Sequence, residues 1–390
     1  MYAIETSTAN IPNKEQILAE IRGVRAFWYY MMIDFFGNGP LVTSFTDLNL
    51  PSTTQRKDIY AFVMSELNDI KDKVRSDVSA ASYGKITKGA VYTLLAKMYL
   101  NALVWNPQGG PKWQECANAC DVVMGLKYSL ESNFKTNFQV NNEVSKEFIL
   151  AAIYSKSSGG NNIAQQTLHY LDYQALGIKL AGWNGISAQP DFYKSFDPED
   201  KRLKWSFLTG PMINPVTGKV IMTAHGRELI HFVDIIKKYS IDASGWGQVE
   251  QEDGARCSKW DFEPGLAIAA QENDYGIFRL ADVYLMKAEA LVRMNKDNAI
   301  ATDLVNTIRK RAFDSASKLF SSVTLTDVYN ERRFELAWEG MGRQDQIRFG
   351  TFLDEIPDWK PAKTNTNLLI FPLPQSVMAA NPNLTQNPGY

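Results

Sequence analysis

The chain has 390 residues, 45% hydrophobic and 22% charged, with 41 basic and 43 acidic side chains for a net charge of −2. That is enough apolar sequence for two or three domains' worth of core. The balance leaves no basic stripe for nucleic acid, and no run approaches the roughly 18 apolar residues of a membrane span.

The opening "MYAIETSTANIPNKEQ" has neither a basic leader nor an apolar core of a signal sequence, which taken alone argues for the cytoplasm. The next stretch, "EQILAEIRGVRAFWYYMMIDFFGNGPLV", repeats Ile17, Ile21, Val24, Trp28, Met31 and Phe35 at steps of three and four. That period predicts a helix with one wide apolar face, ended by the "GNGP" turn. Ala19, Gly23 and Ala26 form a small-residue strip along which a second helix can approach closely. A second helix is expected around Ile59, Val63, Leu67, Ile70 and Val74.

A helical hairpin follows. Thr87 is placed to cap a helix whose stripe is Val91, Leu94, Leu95, Met98, Tyr99 and Ala102. The "NPQGGP" loop breaks it, and Pro111 opens the partner helix. In that partner Cys116 and Cys120 lie one turn apart and read as small buried hydrophobes; three cysteines make no disulfide framework. A second hairpin is expected in "FRLADVYLMKAEALVRMNKDNAIATDLVNTIRKRA", with Asp297 as a cap. Tyr92, Leu95 and Tyr99 in the first hairpin, and Tyr284, Ala288 and Leu291 in the second, follow a tetratricopeptide-like order. The expected fold is mainly α, a scaffold of helix pairs with a loop-rich central insertion.

The insertion is the stretch from about residue 155 to 276, punctuated by Gly, Asn, Ser and Pro, with strand-like runs no longer than "KVIMTA". Four of the nine tryptophans fall there: Trp183, Trp205, Trp246 and Trp260. A Trp in such a loop either pins it to the scaffold or offers an indole face on which a sugar ring stacks. With Tyr170, Asn184 and Asp261 nearby, these four are the candidate ligand residues, the amide and carboxylate bonding hydroxyls. The expected division is 1–154, 155–276 and 277–390.

No phosphate-binding loop and no G-x-S-x-G occur, and His169, His225 and His231 are spread too widely with the cysteines to mark a metal site. No cofactor is expected. The one enzymatic candidate is Glu335 with Glu339, in "VYNERRFELAWEGMGRQDQIRFG", where Glu331, Glu335 and Glu339 recur at i,i+4. Glycosidases need two carboxylates facing across a sugar, not stacked along a helix, and Arg332, Arg333, Arg343 and Arg348 stand ready to neutralise these. An ion network is the expected role.

The chain closes on "FPLPQSVMAANPNLTQNPGY", whose prolines, Asn-Pro turns and Ser376 read as an ordered tail lying on the domain, with Ser376 capping a short helical turn. Asn383-Leu384-Thr385 matches a glycosylation sequon.

Five stretches together resemble the SusD/RagB family of outer-membrane nutrient-binding lipoproteins: "AEIRGVRAFWYYMMIDFFGNGPLVT", "GKITKGAVYTLLAKMYL", "FRLADVYLMKAEAL", "NERRFELAWEGMGRQDQIRFG" and "IFPLPQSVMAANPNLTQNPGY". The resemblance reverses the compartment: it implies a lipid-anchored binding protein, not an enzyme, at the cell surface. Its expected partner is a SusC-like TonB-dependent transporter, to which it delivers glycans or, in some members, peptides, and the sequon becomes a false positive. A hinge is expected between capture and delivery. The family's leader, lipid-bearing cysteine and first segment have no match before "AEIRGVRAFWYY", so the chain is expected to be N-terminally incomplete, without its anchor. Ile21, Val24 and Trp28 would then be exposed. A helical adaptor that binds no nutrient is the remaining alternative.

Overall fold

The computed structural model describes residues 1–157, 159–234, 252–356 and 365–390. Its scaffold is four helix pairs: α1 (Lys14–Phe35) with α2 (Arg56–Ile70), α3 (Lys88–Leu100) with α4 (Trp113–Met124), α5 (Leu280–Arg293) with α6 (Asn298–Ala312), and α7 (Leu325–Glu335) with α8 (Gly342–Phe349). Helix α5 lies at the centre, packed against α3, α4, α6 and α7. The scaffold is the tetratricopeptide-like one expected from the spacing.

Both hairpins form where their periods place them, with differences at the caps. Thr87 caps α3 through Ala90 N–H at 3.3 Å. Asp297 sits at the start of α6 in the left-handed region (φ 49°) and makes no side-chain cap bond. Pro111 precedes α4 by two residues, with Lys112 at its N-cap. Cys116 and Cys120 are fully buried on the face α4 turns to the core.

Helix α1 buries a different face from the one its large residues suggest. Ala19, Gly23, Ala26, Tyr30 and Ile33 are inside, while Val24 and Trp28 are 45% and 65% exposed. The reason is approach distance: the small strip lets α2 pack closely, and bulkier residues would hold the axes apart. A Cβ on Gly23 would stand 2.5 Å from Ile86 Cγ2 and 3.4 Å from Ile70 Cδ1. Gly23→Leu should therefore cost about 1–3 kcal/mol through overpacking. Urea titration would read this as a lower midpoint at unchanged slope; an unchanged midpoint would refute the close-approach argument.

The central segment leaves and rejoins the scaffold through one antiparallel clasp, β1 (Phe148–Ala152) against β2 (Tyr275–Arg279), in which Phe148 faces Arg279 and Ala152 faces Tyr275. Described residues between these strands form only short helices, two-residue strands and isolated bridges. "KVIMTA" contributes two such bridges, at Val220 and Met222, rather than a strand.

The tail is bonded to the scaffold throughout. Phe371 N–H donates to Phe35 O at 2.7 Å, and Asn387 Nδ2 to Phe36 O at 2.6 Å. Leu373 and Leu384 are buried. The short helix Gln375–Ala380 forms as expected, but Pro374 is its N-cap and no side chain caps it.

Candidate functional site

The central segment is held to the C-terminal helices by a buried ionic network. Among the described residues it joins five carboxylates (Glu147, Asp200, Glu331, Glu335, Glu339) to five cations (Arg202, Lys259, Arg279, Arg309, Arg311). Arg279 spans Glu147, Glu335 at 3.1 Å and Glu339 at 2.7 Å. Arg202 reaches Asp200 and Glu331, both at 2.7 Å, and Glu335 at 3.2 Å. Helix α7 stops at Glu335, and Trp338 takes a left-handed φ of 68°, a costly geometry for a bulky residue. Glu339 thus enters from a turn beyond the helix rather than from its next rung. Lys259 Nζ ties that turn down through Glu335 O, Ala337 O and Glu339 Oε1 at 2.6–2.9 Å. Glu335 is 0% and Glu339 3% exposed, so neither can flank a sugar. Both glutamates take the ionic role expected of them, and the alternative hydrolase pair is closed off from any sugar.

Above the network runs a ladder of five rings. Trp205 stacks on Phe134 (5.7 Å, 13°), Phe134 meets Phe138 at 5.0 Å, Phe138 meets Trp260 edge-on at 5.4 Å, and Trp260 stacks on Tyr275 at 5.8 Å. Lys259 Nζ lies 4.7 Å from the Phe138 centroid, a cation held over the ring it helps bury. Trp260 is 1% exposed and sits inside this ladder. Its role as a ligand platform is corrected: it pins the loop, because both its neighbours are core rings.

Trp205 ends the ladder at the surface. It lies on the short helix Lys201–Ser206, capped by Asp200, whose carboxylate accepts from Arg202 N–H at 2.9 Å and also pairs the Arg202 guanidinium. The indole is therefore fixed by the network three residues away. It lines an open cleft of about 780 Å³ together with Tyr193, Lys204, Phe262, Lys135 and Asp261. Asp261 pairs through one carboxylate oxygen with Lys135 at 2.5 Å, and its side chain stays 44% exposed. A half-buried indole beside a carboxylate, a phenol and an ammonium is an arrangement that can stack a planar or sugar ring and bond its hydroxyls.

Trp183, Asn184 and Tyr170 lie elsewhere on the central segment, and both aromatic rings are more exposed. The strip from Gly182 to Ile186 runs against 165–168, with Trp183 N–H on Gln165 O at 2.7 Å and Asn184 N–H on Leu168 O at 2.8 Å. Only glycine fits at 182, since a Cβ there would lie 2.1 Å from Leu168 O. Asn184 takes the left-handed region at φ 53°. Trp183 and Tyr170 are 47% and 43% exposed. Trp246 lies outside the described residues.

Beneath Tyr170 are two buried histidines. His231 Nε2 meets Asp172 Oδ1 at 2.8 Å, and His169 Nδ1 accepts Leu171 N–H at 3.2 Å, which leaves the His169 Nε2 proton without a protein acceptor among the described residues. Burial lowers the His169 pKa, with Asp172 pulling the other way. The folded state then takes up this proton less readily than the unfolded chain, so stability falls as pH drops below about 6.5. Amide protection factors over 168–172 should fall between pH 7 and 5, and His169→Gln should flatten that dependence. A pH-independent wild type would contradict it.

A family model described as the SusD family matches residues 263–358. The starch-binding protein SusD of Bacteroides thetaiotaomicron is 27% identical over 408 aligned positions, covering 95% of this chain and 72% of that protein. SusD-like protein P25 of Formosa agariphila is 24% identical with the same coverage. Among solved structures, a SusD superfamily protein of Parabacteroides distasonis superposes with a TM-score of 0.78 at 22% identity, over 100% of this chain and 82% of that one. The chain thus carries a SusD-family segment in its C-terminal half and is similar to SusD-like proteins over nearly its whole length. A laminarin-binding SusD-like protein shares the fold at TM-score 0.74 and 23% identity, covering 100% of this chain and 82% of that chain.

The matched segment contains β2, α5 to α8 and the Glu331–Glu335–Glu339 part of the network. The cleft residues Tyr193, Lys204, Phe262 and Lys135 went unread in the sequence. The signal available was Trp205 itself: Tyr193 and Lys204 lie within twelve residues of it, on the two short helices that wall the cleft.

Proposed function

We propose that this chain binds glycans through the cleft at Trp205 and passes them to a SusC-like TonB-dependent transporter at the outer-membrane surface. The observation that carries the reading is the Trp205 indole, stacked on buried Phe134 and opening into a cleft with Asp261 and Lys204 on its walls. The network behind it holds that face rigid, as recognition of a weakly binding sugar requires. Support comes from relatives named for starch and laminarin binding. Trp183 and Tyr170 offer a second stacking surface, with Asn184 beside them. Binding without turnover is the expected chemistry, since Glu335 and Glu339 are closed into the core.

Among the described residues no helix is long and apolar enough to cross a membrane. Calorimetry against a panel of soluble oligosaccharides, with chromatography of the same mixtures after incubation, tests the proposal. Saturable binding with intact sugars is the expected result. Shortened products, or no binding across the panel, would overturn it.

A further inference from the structure

The walls of the Trp205 cleft carry three carboxylates, and a cation already holds each of them. Asp261 pairs with Lys135 at 2.5 Å and Asp200 with Arg202 at 2.7 Å. Glu199 pairs at 2.7 Å with Lys318, which also holds Asp197. The ammonium groups are less well matched. Lys201 and Lys204 both line the cleft and lie three residues apart on the short helix that carries Trp205, so they share one side of it. Lys201 pairs with Asp314, whose side chain is 88% exposed, and an ion pair so open to water contributes little. Lys204 is exposed and has no ion pair or hydrogen bond among the described residues.

We infer that this cleft selects acidic glycans, oligosaccharides whose rings bear a carboxylate or a sulfate group. That selection presupposes the Trp205 cleft as the sugar site, as proposed above, and adds the class of sugar. Stacking uses the C–H face of a ring and leaves its substituents at the edge of the indole, where an ammonium on a flexible four-carbon stem reaches them. A ring laid on Trp205 also displaces water from Lys204. A neutral ring returns only hydroxyl acceptors to that ammonium. An anionic group returns a charge-assisted bond, roughly twice as strong as a neutral one. Turning a wall carboxylate toward Lys204 would not serve instead, because it moves the deficit to another cation. Lys135 would lose Asp261, and Arg202, which is fully buried, would lose Asp200.

The test uses the full chain and calorimetry with two matched pairs of ligands. Oligogalacturonate is compared with the same chain methyl-esterified, and a sulfated galactan oligosaccharide with its desulfated form, so that each pair differs in charge and not in ring or linkage. The charged member of at least one pair should bind about tenfold or more tighter, and that advantage should shrink as sodium chloride rises from about 50 to about 500 mM. The pair that discriminates tells carboxylate from sulfate. Lys204→Gln should bring its two members to within about threefold of each other with the thermal melt unchanged, whereas Trp205→Ala should weaken both members alike. Equal or reversed affinities in both pairs would overturn the acidic preference while the glycan reading stands. Discrimination that survives Lys204→Gln in full would overturn the assignment to this cleft. If none of the four ligands binds, the glycan reading of the cleft falls, and the acidic preference with it.

Discussion

Glu335→Gln is expected to destabilise the fold by about 3–5 kcal/mol, a large share of the whole stability of a typical domain. Glu335 is fully buried and is shared by three guanidiniums, those of Arg202, Arg279 and Arg311. The amide keeps the shape but removes the charge, leaving three cations in a low-dielectric setting with one fewer counter-charge. Burial alone would raise the Glu335 pKa, but Arg311, Arg279 and Arg202 outweigh it and hold it below the usual range. The same balance, with Arg311 and Arg279 opposing burial, brings Glu147 down to about 2. A depressed carboxylate contributes stability above its unfolded pKa, about 4.3, that is lost as pH falls through the folded value. The parent should therefore lose stability steeply between about pH 4.5 and 2, and the variant should show a lower plateau with a shallower fall. Urea midpoints across that range give both numbers. A variant as stable as the parent at pH 7 would mean the network is more exposed to water than its burial indicates.

The second large effect concerns binding. Trp205→Ala should weaken glycan affinity by about 1–3 kcal/mol, roughly five- to 160-fold, because it removes the stacking face and uncaps Phe134. Trp205→Phe keeps a ring on Phe134 and should recover part of the loss. Trp260→Ala belongs to a different class: deleting a buried indole from the middle of the ladder should cost about 3–5 kcal/mol of stability. Calorimetry paired with thermal melts separates the two. If Trp205→Ala binds as the parent does with its melt unchanged, the cleft is not the sugar site, and Trp183 becomes the residue to test.

The sequence by itself determined the helix pairs 88–124 and 280–312, the inward face of Cys116 and Cys120, and the ordered tail. Each depends on local spacing: a period of 3.6 residues, a cap, a proline turn. It also carried the ionic role of Glu331 and Glu335, since arginines crowd the same stretch. What only the tertiary structure decided are matters of who comes near whom. Nothing in the local sequence tells whether an indole of the insertion ends at the surface, as Trp205 does, or is closed between Phe138 and Tyr275, as Trp260 is. The partners of Glu335 come from residues 202, 279 and 311, which no periodicity links. Glu339 matched the helical repeat yet reaches the network from a turn, because Trp338 ends the helix geometry. Helix α1 carries two plausible inward faces, and the small one won because α2 could come close to it. Local chemistry fixes which elements form; burial is a property of the neighbours, and those arrive from elsewhere in the chain.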